Sequence, residues 1–95
     1  MNILWTEPAE VDLDGIFDHI LADNPHAALS VYERIRERVD RLTSFPYTGR
    51  PGRLHDTREL VIPDTPYIVV YRVRPAMIEV LRVIHGAMLW PPEDY

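Results

Sequence analysis

The stretch Thr57 to His85, TRELVIPDTPYIVVYRVRPAMIEVLRVIH, decides the fold. It holds three apolar runs, Leu60-Val61-Ile62, Tyr67 to Val73 and Met77 to Ile84, rich in the β-branched and aromatic residues that suit a pleated surface. Pro63-Asp64-Thr65-Pro66 parts the first two runs, and Arg74-Pro75-Ala76 parts the last two. Each break contains proline, which cannot donate to a strand ladder and belongs in a turn. Connections this short join antiparallel neighbours. The segment predicts a three-stranded antiparallel meander.

Strand parity makes both faces of that meander apolar. In the middle strand Tyr67, Val69, Tyr71 and Val73 share one side, and Ile68, Val70 and Arg72 the other. In the last strand Ile78, Val80, Arg82 and Ile84 face one way, and Met77, Glu79, Leu81 and Val83 the other. A sheet with one wet face alternates apolar with polar. Here two coverings are needed: helices on one side, and the tail, the loops or a partner on the other.

The flanking segments supply the helices. Asn2 to Trp5 reads as an edge strand. Thr6 caps a helix with Pro8 in its first turn and Glu7, Glu10 and Asp12 near its positive end. Its stripe is Ala9, Leu13, Ile16, Phe17 and Ile20. Asn24 and Pro25 open a second helix with stripe Ala28, Val31, Tyr32, Ile35, Val39 and Leu42, and with Glu37 four residues before Arg41. So short a turn makes an antiparallel hairpin covering one face, with Leu13, Phe17, Ile35 and Val39 toward the sheet. The loop FPYTGRPGR, Phe45 to Arg53, holds too many prolines and glycines for regular structure. The expected fold is α+β in the order β-α-α-β-β-β, an antiparallel sheet packed on a helical hairpin. One domain over 1–95 divides into the hairpin at about 7–44, the meander at about 57–85 and a tail at 86–95, where Met88, Leu89 and Trp90 are too apolar to hang free.

Composition narrows the function. The 95 residues suit a single domain with a modest core. No apolar run approaches the roughly 20 residues of a membrane span and no signal-peptide pattern opens the chain, so a cytoplasmic protein is expected. The absence of cysteine excludes disulfides, thiol catalysis and Cys-ligated zinc. His19, His26 and His55 sit at no ligand spacing, so neither metal nor cofactor is expected. All ten basic residues are Arg, in a chain of net charge −5. Residues 1–24 hold acids and no Lys or Arg, whereas six Arg fall in residues 50–85, so one end is locally basic.

The order of elements, with FPYTGRPGR at 45–53, TRELVI at 57–62, PYIVVYRV at 66–73 and IEVLRVIHGAMLWP at 78–91, resembles the ParE/RelE superfamily of toxins from bacterial toxin–antitoxin pairs. The resemblance implies a cytoplasmic toxin neutralised by a cognate antitoxin, in a heterotetramer or larger complex. One branch poisons DNA gyrase by binding; the other cuts mRNA on the ribosome. The nuclease branch would place basic groups at Glu59 and Val61, an Arg at Ile68 and another near Ala87, then a Tyr several residues on. This chain lacks them, although Tyr95 could stand for the last, and the ParE-like branch is expected. A nuclease site would instead draw on His85 as acid or base, and on Arg58, Arg72 and Arg82 to neutralise the phosphate. On the binding alternative, Arg50, Arg53, Arg58, Arg72, Arg82, Met88 and Trp90 contact antitoxin or target, and His85 merely ends its strand. A third alternative is a relative that still binds antitoxin but has lost toxicity.

Overall fold

The computed structural model describes residues 1–88 and 90–92. Leu89 and Tyr95, both weighed above, lie outside them. In chain order the elements are β1 (Asn2–Trp5), α1 (Glu7–Leu21), α2 (Pro25–Asp40), a 3-10 turn (Arg41–Thr43), β2 (Arg50–Pro51), β3 (Arg58–Val61), β4 (Tyr67–Val73) and β5 (Met77–His85). They form one sheet in the order β1-β5-β4-β3-β2.

Both helices start where side chains cap them. Thr6 Oγ1 accepts from the Ala9 N–H, and Asn24 Oδ1 from the Ala27 N–H. Two expectations about the strands are corrected. The sheet is mixed, because β1 runs parallel to β5 with Ile3 beside Ile78 and Trp5 beside Val80. Short turns force antiparallel pairing only within the meander. Between β1 and β5 lies most of the chain, far more than a parallel crossover needs. The 45–53 loop also contributes a strand: Arg50 pairs with Glu59 and Pro51 with Arg58. Proline fits there because β2 is an edge whose outward side lacks a ladder.

A bulge changes the parity read from sequence. Tyr71 pairs with Val80 and Val70 with Arg82, leaving Leu81 unpaired. Ile78, Val80 and Val83 therefore join Tyr67, Val69 and Tyr71 against Ala9, Leu13, Ile35, Val39 and Leu42. Arg82 and Ile84 move to the face of Ile68 and Val70. Phe17 is also corrected. It stands half-buried, with its ring edge-on to Tyr32 at 5.8 Å, outside the sheet-facing core. At 100° per residue it lies to the side of the Ala9–Leu13 line, toward α2.

The outer face of the sheet is covered by the chain itself. Ile68, Val70, Ile84 and Trp90 are buried together, with Leu54 and Leu81 packed on them. The tail and the 50–57 loop thus supply a second layer. The hairpin is closed by Arg36, which stacks over Trp5 at 4.5 Å and Tyr32 at 5.2 Å and bonds both Glu10 oxygens. Burial lowers the Arg36 pKa, but the Tyr32 hydroxyl and Glu10 outweigh it and leave it raised.

Candidate functional site

Three arrangements of side chains dominate the ends of the sheet. The first is a clamp on β5. Where β1 stops, the edge of β5 opens, and Asp12 from α1 closes it. Asp12 accepts from the Val83 N–H at 2.9 Å and from Arg82 Nε and Nη2 at 2.6 and 3.1 Å. The Arg82 guanidinium lies 5.6 Å from the centre of the Trp90 ring. Asp12 was read from sequence only as a helix-dipole residue; its role follows from the bulge, which no alternation pattern announces.

The second is a buried carboxylate. Glu59 is 2% exposed. It accepts from Arg50 Nη2 and from the Arg53 backbone N–H, each at 3.1 Å, and Arg53 Nη2 lies 3.6 Å away. Arg53 also donates to the Trp90 carbonyl at 3.0 Å. Glu59 stands where the nuclease branch would place a cation. Its charge is tolerated at that depth because it is met by two guanidiniums and a backbone donor.

The third is a locked loop. The buried Tyr71 hydroxyl donates to the Pro46 carbonyl at 2.7 Å and accepts from the Gly49 N–H at 2.9 Å. Arg58 donates to the Tyr47 and Gly49 carbonyls and lies over the Tyr47 ring at 4.9 Å. Gly49 is required by close approach, since a Cβ there would meet the Tyr71 oxygen at 2.7 Å. Burial raises the Tyr71 pKa, although the Gly49 N–H and Arg58 pull it down. The locked loop holds Phe45 and Tyr47 out at 67% and 65% exposure. A buried Tyr needed a partner for its hydroxyl, which was a legible signal; that the partner is this loop was not.

The candidate nuclease residues are split between the faces. His85 pairs with Tyr67 on the helix-facing side, its ring edge-on to Tyr67 at 5.7 Å and its Nδ1 accepting from the Ala87 N–H. Arg58 pairs with Tyr71 on that same side, four residues along β4, or roughly 13 Å away at the usual strand rise. Arg82, opposite Val70, and Arg72, two residues from Val70, belong to the other face. Arg72 forms no ion pair among the described residues, and its Nε is buried with no hydrogen-bond partner. Of the binding candidates, Arg50, Arg53 and Met88 are exposed, Arg58 and Arg72 half-buried, and Trp90 is buried. Val61 is exposed and Ile68 buried, neither offering a cation. Among the described residues no group of three or more His, Asp or Glu is placed to hold a metal, and no helix is long and apolar enough to cross a membrane.

Comparison with known proteins agrees with this geometry. Residues 3–90 match the family described as ParE toxin of type II toxin-antitoxin system, parDE. Protein Y4kP of Sinorhizobium fredii is 46% identical over 90 residues, covering 95% of this chain and 93% of that one. Toxin RelE2 of Caulobacter vibrioides is 33% identical, covering 93% of this chain and 98% of the other. A solved structure titled "Chromosomal ParDE TA system from P. aeruginosa" superposes with a TM-score of 0.81 at 32% identity, over 90% of this chain and 95% of that one. The RelE name of one relative and the ParE name of the family pull toward different branches. The family match spans nearly the whole chain and agrees with the solved structure, and it carries more weight than one relative's name. The chain belongs to the ParE toxin family of type II toxin–antitoxin systems.

Proposed function

We propose that this toxin inhibits DNA gyrase by binding, and that a cognate antitoxin neutralises it within a heterotetramer or larger complex. The observation that supports binding over RNA cleavage is the dispersal of the candidate nuclease groups. Cleavage by the RNA's own 2′-OH needs a base, an acid and cations converging on one phosphate. His85 and Arg58 share one face about four strand residues apart, while Arg72 and Arg82 belong to the other. Asp12 also holds Arg82 by two hydrogen bonds.

The Caulobacter relative's name keeps the alternative of ribosome-dependent mRNA cleavage in play. One pair of assays separates the two. Gyrase supercoiling and RNA cleavage with translating ribosomes are measured in parallel, for wild type and for His85→Ala. The gyrase reading expects supercoiling to be inhibited equally by both proteins, with transcripts intact. Ribosome-dependent cuts that drop by ~10²–10⁴ in His85→Ala, the usual share of general acid–base catalysis, beside unaffected gyrase would overturn it.

A further inference from the structure

We propose that the cleft bounded by the 51–58 loop, Tyr47 and Val73 binds a nucleoside monophosphate, with the phosphate on Arg58 and Arg53 and the base against Tyr47. The inference goes beyond the gyrase reading and does not depend on it. The cleft holds about 490 Å³, within the usual range for small-molecule sites. Arg53, His55, Asp56 and Arg58 line it from the loop and the start of β3, opposite Tyr47 and Val73. Its charge does not balance. Asp56 is answered by Arg74 at 3.7 Å, and Glu59, which accepts from the Arg53 N–H, is answered by Arg50 at 3.1 Å. Arg53 shares Glu59 at 3.6 Å. Arg58 has no ion pair among the described residues. Its Nη1 donates to the Tyr47 and Gly49 carbonyls, while its Nε and Nη2 have no acceptor among those residues.

Two guanidiniums in one cleft, one of them unanswered and the other only shared, suit a dianion. A phosphate monoester carries about −1.5 to −2 charges at neutral pH and three strong acceptor oxygens. Guanidinium matches it with paired N–H donors in a fixed fork. In a chain of net charge −5, such a site is a local exception. Tyr47 supplies the other half of the recognition. Its ring is 65% exposed yet held in place by Arg58, which lies over it at 4.9 Å. A fixed aromatic ring at the rim of a cationic cleft is a stacking platform for a base. The walls are set before a ligand arrives. The Gly52 N–H bonds the Thr57 carbonyl, and the Thr57 hydroxyl bonds the Leu54 carbonyl, each at 2.7 Å. Binding therefore needs little ordering of the protein.

The test titrates the full chain with adenosine monophosphate, adenosine and inorganic phosphate, following amide shifts by NMR. Wild type is compared with Arg58→Gln, Tyr47→Ala and the off-cleft control Arg34→Gln. The nucleotide should bind wild type with a Kd below roughly 1 mM and shift the amides of residues 52–58. Adenosine and inorganic phosphate should each bind about tenfold more weakly or worse, because each lacks one half of the ligand. Arg58→Gln should weaken the nucleotide by about tenfold or more, Tyr47→Ala by roughly fivefold or more, and Arg34→Gln not at all. Arg58 also holds the 45–50 loop, so Arg58→Gln can damage the fold. Tyr47→Ala removes only the ring and keeps the carbonyl that Arg58 bonds, so it decides the matter if melts show Arg58→Gln unfolded. Absence of saturable shifts, shifts centred outside residues 47–58, or binding that Tyr47→Ala leaves unchanged overturns the proposal. Inorganic phosphate that matches the nucleotide reduces the site to an anion contact and overturns it too.

Discussion

The two faces of the sheet are both dry, but different physics keeps them so. Against the helices lies a broad apolar core running from Ala9 and Leu13 through Ile35 and Val39 to Tyr71 and Val80. The outer face buries a smaller patch, Ile68, Val70, Ile84 and Trp90. That patch is fenced by charge: Asp12 and Arg82 on one side, Glu59 with Arg50 and Arg53 on the other. Apolar area is the main support of the inner face, since large side chains there contribute roughly 1.5–3 kcal/mol each. The outer face depends on a few directed bonds that position the tail. Damage to the first should therefore unfold the protein, and damage to the second should loosen it locally.

The largest expected effect tests the inner face. Ile35→Ala should cost about 2–5 kcal/mol in urea unfolding, as truncations of fully buried aliphatic side chains do. A loss below ~1 kcal/mol would break the comparison. Next, Asp12→Ala removes an acceptor shared by Arg82 and the Val83 N–H. A loss of about 1–3 kcal/mol is expected, with faster amide exchange confined to the end of β5. Exchange that speeds up across the whole sheet would mean the clamp serves the global fold.

Tyr71 sits on the inner face, yet it acts through bonds, and so it sharpens the distinction. Tyr71→Phe should lose only about 1 kcal/mol at neutral pH. Because burial raises the phenol's pKa above its ordinary 10.0, the folded state holds that proton more tightly than the unfolded chain does. The resulting stability is complete below the unfolded value and fades as pH climbs through the folded one. Wild type should therefore weaken more steeply than Tyr71→Phe in urea melts between pH 8 and about 11; parallel pH profiles would remove this role. The smallest effect is Glu37→Gln on the exposed α2 surface. Its pairing with Arg41 at 2.9 Å should be worth a few tenths of a kcal/mol, near the limit of a careful melt.

Much of this architecture was legible because it is local. Prolines at 63, 66 and 75 marked the meander's turns, and Thr6 and Asn24 announced their helices by cap chemistry. What escaped was the consequence of chain meeting chain. Val80, Leu81, Arg82 and Val83 carry no alternation that reveals which residue the bulge leaves over, so Arg82 and Ile84 were placed on the wrong face. The parallel pairing of β1 depends on where a long crossover returns, which no nearby residue encodes. The outer cover was left open between tail, loop and partner, since Trp90 docks through Arg82 and through Arg53, the latter 37 residues away in sequence.

The lock on the 45–50 loop bears on rates. Tyr71 and Arg58 fix Phe45 and Tyr47 before any partner arrives. A protein meeting this surface need not wait for the loop to order, and little ordering entropy on the toxin's side opposes docking. Association should then run near the diffusional pace set by orientation and charge. Drift in a partner's sequence would register as residence time, with the on-rate nearly constant. Two chains sharing this lock would meet the same partner equally fast and differ only in how long they hold it.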